Sequence, residues 1–163
     1  MVERDKLLRY CNELLDSGSF QDYCPNGLQV EGRNEIRLIV SGVTASQALV
    51  DAAVEAGADL LLVHHGYFWR GEAAQVVGIK HRRLKALLQH DINLMAYHLP
   101  LDAHPQLGNN AQLARRLGLR VEGGMEAGNP LSIGNVGRLD DPMSARDFAV
   151  HVESVLGREA LHI

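Results

Sequence analysis

Asp59-Leu60-Leu61-Leu62-Val63-His64-His65-Gly66 is the stretch on which the fold turns. Its apolar run is unbroken and of strand length, with none of the alternation of a half-solvated strand. That pattern suits a strand buried on both faces, as in a parallel sheet. The run then stops at two imidazoles and a glycine.

The flanks repeat the theme. Upstream, Ile36-Arg37-Leu38-Ile39-Val40-Ser41-Gly42-Val43 is a β-branched run, and Ala48, Leu49, Ala52, Ala53 and Ala56 form a helical stripe ended by Gly57. Downstream, a helix over about 80–90 turns Leu84, Leu87 and Leu88 inward, and Ile92 to Tyr97 reads as the next strand. Strand, helix, strand, helix, strand predicts an α/β domain, a mostly parallel sheet with helices on both faces. An amphipathic helix near 3–16, with Leu7, Leu8, Cys11, Leu14 and Leu15 inward, precedes it and stops at Ser17-Gly18-Ser19. Pro25-Asn26-Gly27 is turn chemistry. Asn109 or Asn110 is the expected cap of a helix that buries Leu113, Ala114 and Leu117 and stops at Gly118.

The texture changes after about 122. Residues 1–122 read as one α/β domain and 123–163 as the start of a second α/β segment. Gly123-Gly124, Gly128-Asn129-Pro130 and Gly134 mark loops around a strand near 131–139. Ser144-x-x-Asp147 resembles a capping box for a helix with Phe148, Val152 and Val155 inward, ended by Gly157. Ala160-Leu161-His162-Ile163 reads as a strand just beginning, so the second segment is expected to be incomplete.

Bulk composition narrows the function classes. The chain has 163 residues, 46% apolar and 22% charged, with a net charge of −4. No apolar run nears the ~18 residues of a membrane span. The N-terminus carries charges of both signs and is unlike a signal peptide, which predicts a cytoplasmic protein. Cys11 and Cys24 form no metal or disulfide pattern and are expected to be quiet thiols. The basic cluster Lys80-His81-Arg82-Arg83 with Lys85 reads as a solvated face, and general nucleic-acid binding is not expected. There is no phosphate-loop fingerprint and no nucleophile elbow, which disfavours a plain nucleotide-binding domain. Gly42-Val43-Thr44-Ala45-Ser46 opens a helix that Thr44 or Ser46 is expected to cap.

Two segments carry chemistry. His64 and His65 sit at the C-terminal end of a buried strand, where open parallel sheets place their ligands. Tyr97-His98-Leu99-Pro100-Leu101-Asp102 follows the next strand. If the two strands are neighbours, ~5 Å apart, a histidine pair and a carboxylate share one crevice. His64, His65 and Asp102 are the expected metal ligands, since a carboxylate can bridge two ions. His98 is a ligand, a partner of a ligand or a substrate contact, and His104 is a weaker candidate. Imidazole with carboxylate suits zinc, iron, manganese, nickel or cobalt without choosing among them. Three protein ligands fit a catalytic rather than a closed structural site.

Asp22-Tyr23-Cys24-Pro25-Asn26-Gly27-Leu28-Gln29-Val30-Glu31-Gly32, Gly42-Val43-Thr44-Ala45-Ser46, Val63-His64-His65-Gly66-Tyr67-Phe68-Trp69 and His98-Leu99-Pro100-Leu101-Asp102 occur in order. Together they resemble the Nif-three-like family, also labelled GTP cyclohydrolase I type 2 homologues. The resemblance runs from about residue 5 to at least 120. It implies paired α/β domains, a ring-shaped homo-hexamer, and two divalent metal ions held by the residues matching His64, His65 and Asp102. It also implies a further histidine and glutamate from a C-terminal motif absent from this sequence. The family label implies a metal-dependent hydrolase acting on a small molecule or nucleotide, nominally opening the imidazole ring of guanine in GTP. His98 would then be the catalytic proton carrier, a role imidazoles take near neutral pH. The alternative is a non-catalytic, metal-binding regulatory or interaction protein.

Overall fold

The computed structural model describes residues 1–161; His162 and Ile163, half of the strand expected at 160–163, lie outside the described residues. Ala160 and Leu161 have no regular structure. The chain divides into two compact units, Met1–Leu101 and Asp102 onward.

The first unit runs β1 (Val2–Glu3), α1 (Arg4–Leu14), β2 (Gly27–Val30), β3 (Glu35–Ile36), β4 (Ile39–Thr44), α2 (Gln47–Glu55), β5 (Leu60–His65), α3 (Gly78–Gln89) and β6 (Asn93–Ala96), then enters α4 (Leu99–Ala103). Its four-stranded sheet has the order β2-β6-β5-β4. The β4–β5 and β5–β6 pairs are parallel, with Leu61 opposite both Val40 and Leu94. The protein is therefore mixed α/β with one mainly parallel sheet.

β2 departs from the sequence reading, which ends at a turn. Gly27, at φ +97°, opens a short strand antiparallel to β6, with Leu28 opposite Met95. Its side chains Gly27-Leu28-Gln29-Val30 offer no apolar period long enough to register as a strand. The run at 36–43 is likewise two strands. The Asp59 carboxylate accepts the N–H groups of Arg37 and Leu38 at 2.8 and 2.9 Å, and this diverts the backbone between β3 and β4.

The core lies against the central strands. Leu61, Val63, Leu94 and Ala96 join Val50, Ala53, Leu84 and Leu87 in one cluster. Leu60, Met95 and Tyr97 join Leu15 and Ile36 in another, against which Leu7, Leu8 and Cys11 of α1 pack. In α2 the buried residues are Val50 and Ala53, whereas Ala48, Ala52 and Ala56 are not buried. The larger Val50, flanked by Leu49 and Val54, removes more apolar area from water than the alanine stripe would. Leu14 and Leu88 are exposed rather than inward.

The second unit contains the rest of α4, then α5 (Asn109–Arg116), β7 (Leu119–Gly124), β8 (Asn135–Leu139) and α6 (Ala145–Leu156). β7 and β8 pair antiparallel, with a register shift between Val121 and Gly123. Gly108, not an asparagine, caps α5. The Asn109 amide donates to Asp102 Oδ1 at 2.9 Å, and the Asn110 amide donates to the Ile133 carbonyl. α5 and the residue after it bury Ala114 and Leu117 but leave Leu113 exposed, and Gly118 follows at φ +70°. Ser144 caps α6 by accepting the Asp147 N–H at 3.1 Å. The return bond differs from a full capping box: the Ser144 hydroxyl donates to the Asp147 carboxylate at 2.7 Å. Among the described residues no helix is long and apolar enough to cross a membrane.

Candidate metal centre

β5 and β6 end side by side. Val63 pairs with Ala96, and the Tyr97 N–H donates to the Val63 carbonyl at 3.0 Å. Parallel register thus delivers His64, His65 and His98 to one end of the sheet. Ring centroids lie 4.3 Å apart for His64–His65, 5.1 Å for His64–His98 and 5.5 Å for His65–His98. One ligand nitrogen from each lies within 4.8 Å of the other two.

Each ring is anchored through Nδ1. His64 Nδ1 is 3.0 Å from the Tyr97 carbonyl. A carbonyl only accepts, so Nδ1 carries the proton and Nε2 is the nitrogen suited to a metal. His65 Nδ1 lies 3.2 Å from the Thr44 hydroxyl, and His98 Nδ1 lies 2.8 Å from Asp22 Oδ1. Metal-binding histidines characteristically engage the other ring nitrogen in this way, which fixes tautomer and orientation. The donor set therefore fits a borderline divalent ion.

The surrounding loop explains the glycine after the histidine pair. A Cβ on Gly66 would stand 2.7 Å from the Ala96 Cβ and would run into the Gln29 amide oxygen. That oxygen accepts the Tyr67 N–H at 2.7 Å. Phe68 then adopts φ +63°, a conformation costly for a bulky residue. It is held by its surroundings: the Arg70 N–H donates to the Tyr23 carbonyl at 2.7 Å, and the Arg70 guanidinium donates to the Asp22 carbonyl at 3.0 Å. Trp69 consequently stands edge-on to His98, with centroids 5.0 Å apart, and 6.0 Å from His65.

Sequence reasoning missed three of these residues. Asp22 and Trp69 sit inside quoted motifs without a role, and Thr44 reads from sequence only as a helix cap, a task that Ser46 performs. Asp102 opens the second unit, where its carboxylate accepts from Asn109. His104 is a turn cap: its Nδ1 accepts the N–H groups of Gln106 and Leu107 at 3.2 and 3.0 Å. Cys24 is buried, and burial together with the Asp22 charge pushes its thiol up to about 11.

Comparison with known proteins identifies the family. A Pseudomonas aeruginosa protein named GTP cyclohydrolase 1 type 2 homolog is 64% identical over 155 residues, 95% of this chain and 62% of the relative. The Escherichia coli protein of the same name is 51% identical, covering 98% of this chain and 63% of its own length. The chain thus spans less than two thirds of the curated relatives it matches. Among solved structures, protein ybgI, described as of unknown function, superposes with a TM-score of 0.93 at 51% identity, over 98% of this chain and 63% of that one. TTHA1606 from Thermus thermophilus gives 0.85 at 40% identity, over 98% of this chain and 64% of that one. The family described as Duf34/NIF3 (NGG1p interacting factor 3) matches residues 2–163, and the chain belongs to that family.

Proposed function

We propose that this chain forms the greater part of a dinuclear divalent-metal centre of a metal-dependent hydrolase. The observation that carries the reading is the convergence of three histidines whose Nδ1 atoms are all tied to other groups. His64 and His65 are the ligands on the first unit. Asp102 is assigned as a further ligand from its motif. His98 is the proton carrier beside them. Two divalent ions held there would polarise a substrate oxygen or nitrogen and lower the pKa of bound water. Zinc, iron, manganese, nickel and cobalt all suit the donors.

The relatives' name supports a cyclohydrolase acting on GTP, and the ring-shaped homo-oligomer stays part of the proposal. The chain's own residues add Trp69, whose ring walls the centre beside His98. A second reading, a metal-binding interaction protein without turnover, draws on the family's description as an interacting factor.

Elemental analysis of the purified chain, beside a His65→Ala/Asp102→Ala variant, tests the centre. Bound metal in the parent and about 10-fold or more less in the variant is the expected result; equal content in both overturns it. Metal-loaded protein incubated with GTP should then release formate above the metal-free blank. Metal without formate favours the interaction reading.

A further inference from the structure

We infer that Asp22 is a positioning residue for His98: it accepts the His98 Nδ1 proton and so holds Nε2 as the basic nitrogen beside His64 and His65. The inference deepens the reading above and rests on it for its purpose, though not for its geometry.

The Asp22 side chain is only 2% exposed and that of His98 15%. Burying a carboxylate is costly unless donors satisfy it, and Asp22 has four. Its Oδ1 accepts the Tyr23 N–H at 2.6 Å and faces His98 Nδ1 at 2.8 Å. Its Oδ2 accepts the Asn26 amide and the Leu99 N–H, each at 2.9 Å. Burial raises the Asp22 pKa, but bonds from His98, Asn26, Leu99 and Tyr23 outweigh it and leave the carboxyl below its ordinary value. An ionised carboxylate has no proton to donate, so the shared hydrogen belongs to His98 Nδ1.

Asn26 locks the arrangement from the other side. Its oxygen accepts the His98 backbone N–H at 2.8 Å while its nitrogen donates to Asp22. Both roles are met by one amide orientation only. The motif Asp22-x-x-x-Asn26 thus grips the backbone and the ring of His98 together, although both residues lie far from it in the sequence. A carboxylate behind an imidazole is the device that selects its tautomer and stabilises the imidazolium formed when Nε2 takes a proton.

The test is tautomer assignment by nitrogen-15 NMR of the histidine rings in the metal-free chain, with His98→Asn identifying the His98 signals. In the parent, Nδ1 should be protonated and Nε2 not; the opposite assignment overturns the inference whatever the variants do. In Asp22→Asn, the carboxamide oxygen stays where two donors meet it, the Leu99 N–H and the Asn26 amide, and the NH2 turns toward His98 with loss of the single Tyr23 N–H bond. The proton should then move to Nε2, exchanging the two ring signals. In Asn26→Ala the carboxylate remains, so the Nδ1–H form should persist. Retention of Nδ1–H in Asp22→Asn overturns the inference. An equal switch in Asn26→Ala also overturns it, because general loosening of the loop would then suffice. An Asp22-dependent tautomer in a chain that binds no metal sinks the metal reading and leaves the positioning role intact.

Discussion

Asp59 shows how one buried side chain can shape two elements. Its Oδ2 accepts two backbone N–H groups at the β3–β4 break, and its Oδ1 takes the Arg33 guanidinium at 3.0 Å. Burial alone would raise its pKa, but the Leu38 and Arg37 N–H groups and the Arg33 charge leave it lowered. A carboxyl whose folded pKa lies below its unfolded value, ~3.9, stabilises the fold above that value. The contribution is lost as pH falls through the folded pKa. Urea midpoints should therefore decline below about pH 4, and less so in Asp59→Asn. Asp59→Ala should cost roughly 2 kcal/mol at neutral pH, because two part-buried N–H donors lose their acceptor. A loss under about 0.5 kcal/mol, the range of ordinary surface substitutions, would show that water replaces the carboxylate.

At the scale of elements, the centre depends on how β5 ends and α2 begins. Ser46 accepts the Leu49 N–H at 3.2 Å, next to Thr44, which faces His65. Ser46→Ala should lower stability by about 1 kcal/mol, the usual value of an N-cap. Metal content should stay unchanged, as read by denaturation and elemental analysis together. Gly66→Ala should do the reverse. Its methyl meets Ala96 and Gln29, which shifts the histidine pair, so metal content should fall by more than stability. Motif reading placed His64, His65 and His98 correctly at strand ends because imidazoles stand out against apolar runs. It could not see Asp22 or Thr44 as their partners, since each is far from its histidine in the sequence: Thr44 meets His65 across the β4–β5 pair, and Asp22 meets His98 between segments outside the strands.

On the scale of the whole molecule, stability is unevenly spread. The first unit holds nearly all of the buried apolar residues, whereas Ala114 and Leu117 are those buried in the second among the described residues. Amides of β5 and β6 should therefore exchange with solvent more slowly than those of β7 and β8, by roughly tenfold or more. Comparable protection measured by mass spectrometry would contradict this.

What the sequence alone determined is what periodicity and side-chain type encode locally: helix, strand and helix around Leu60–His65, the stops at Gly57, Gly118 and Gly157, the cap at Ser144, and the histidines at strand ends. Tertiary structure decided the rest. The antiparallel β2, the break between β3 and β4, the inward face of α2 and the carboxylate behind His98 all arise from groups distant in sequence. A buried N–H, carboxylate or imidazole must find a partner wherever the fold brings one within about 3 Å, and that requirement leaves no local period to read.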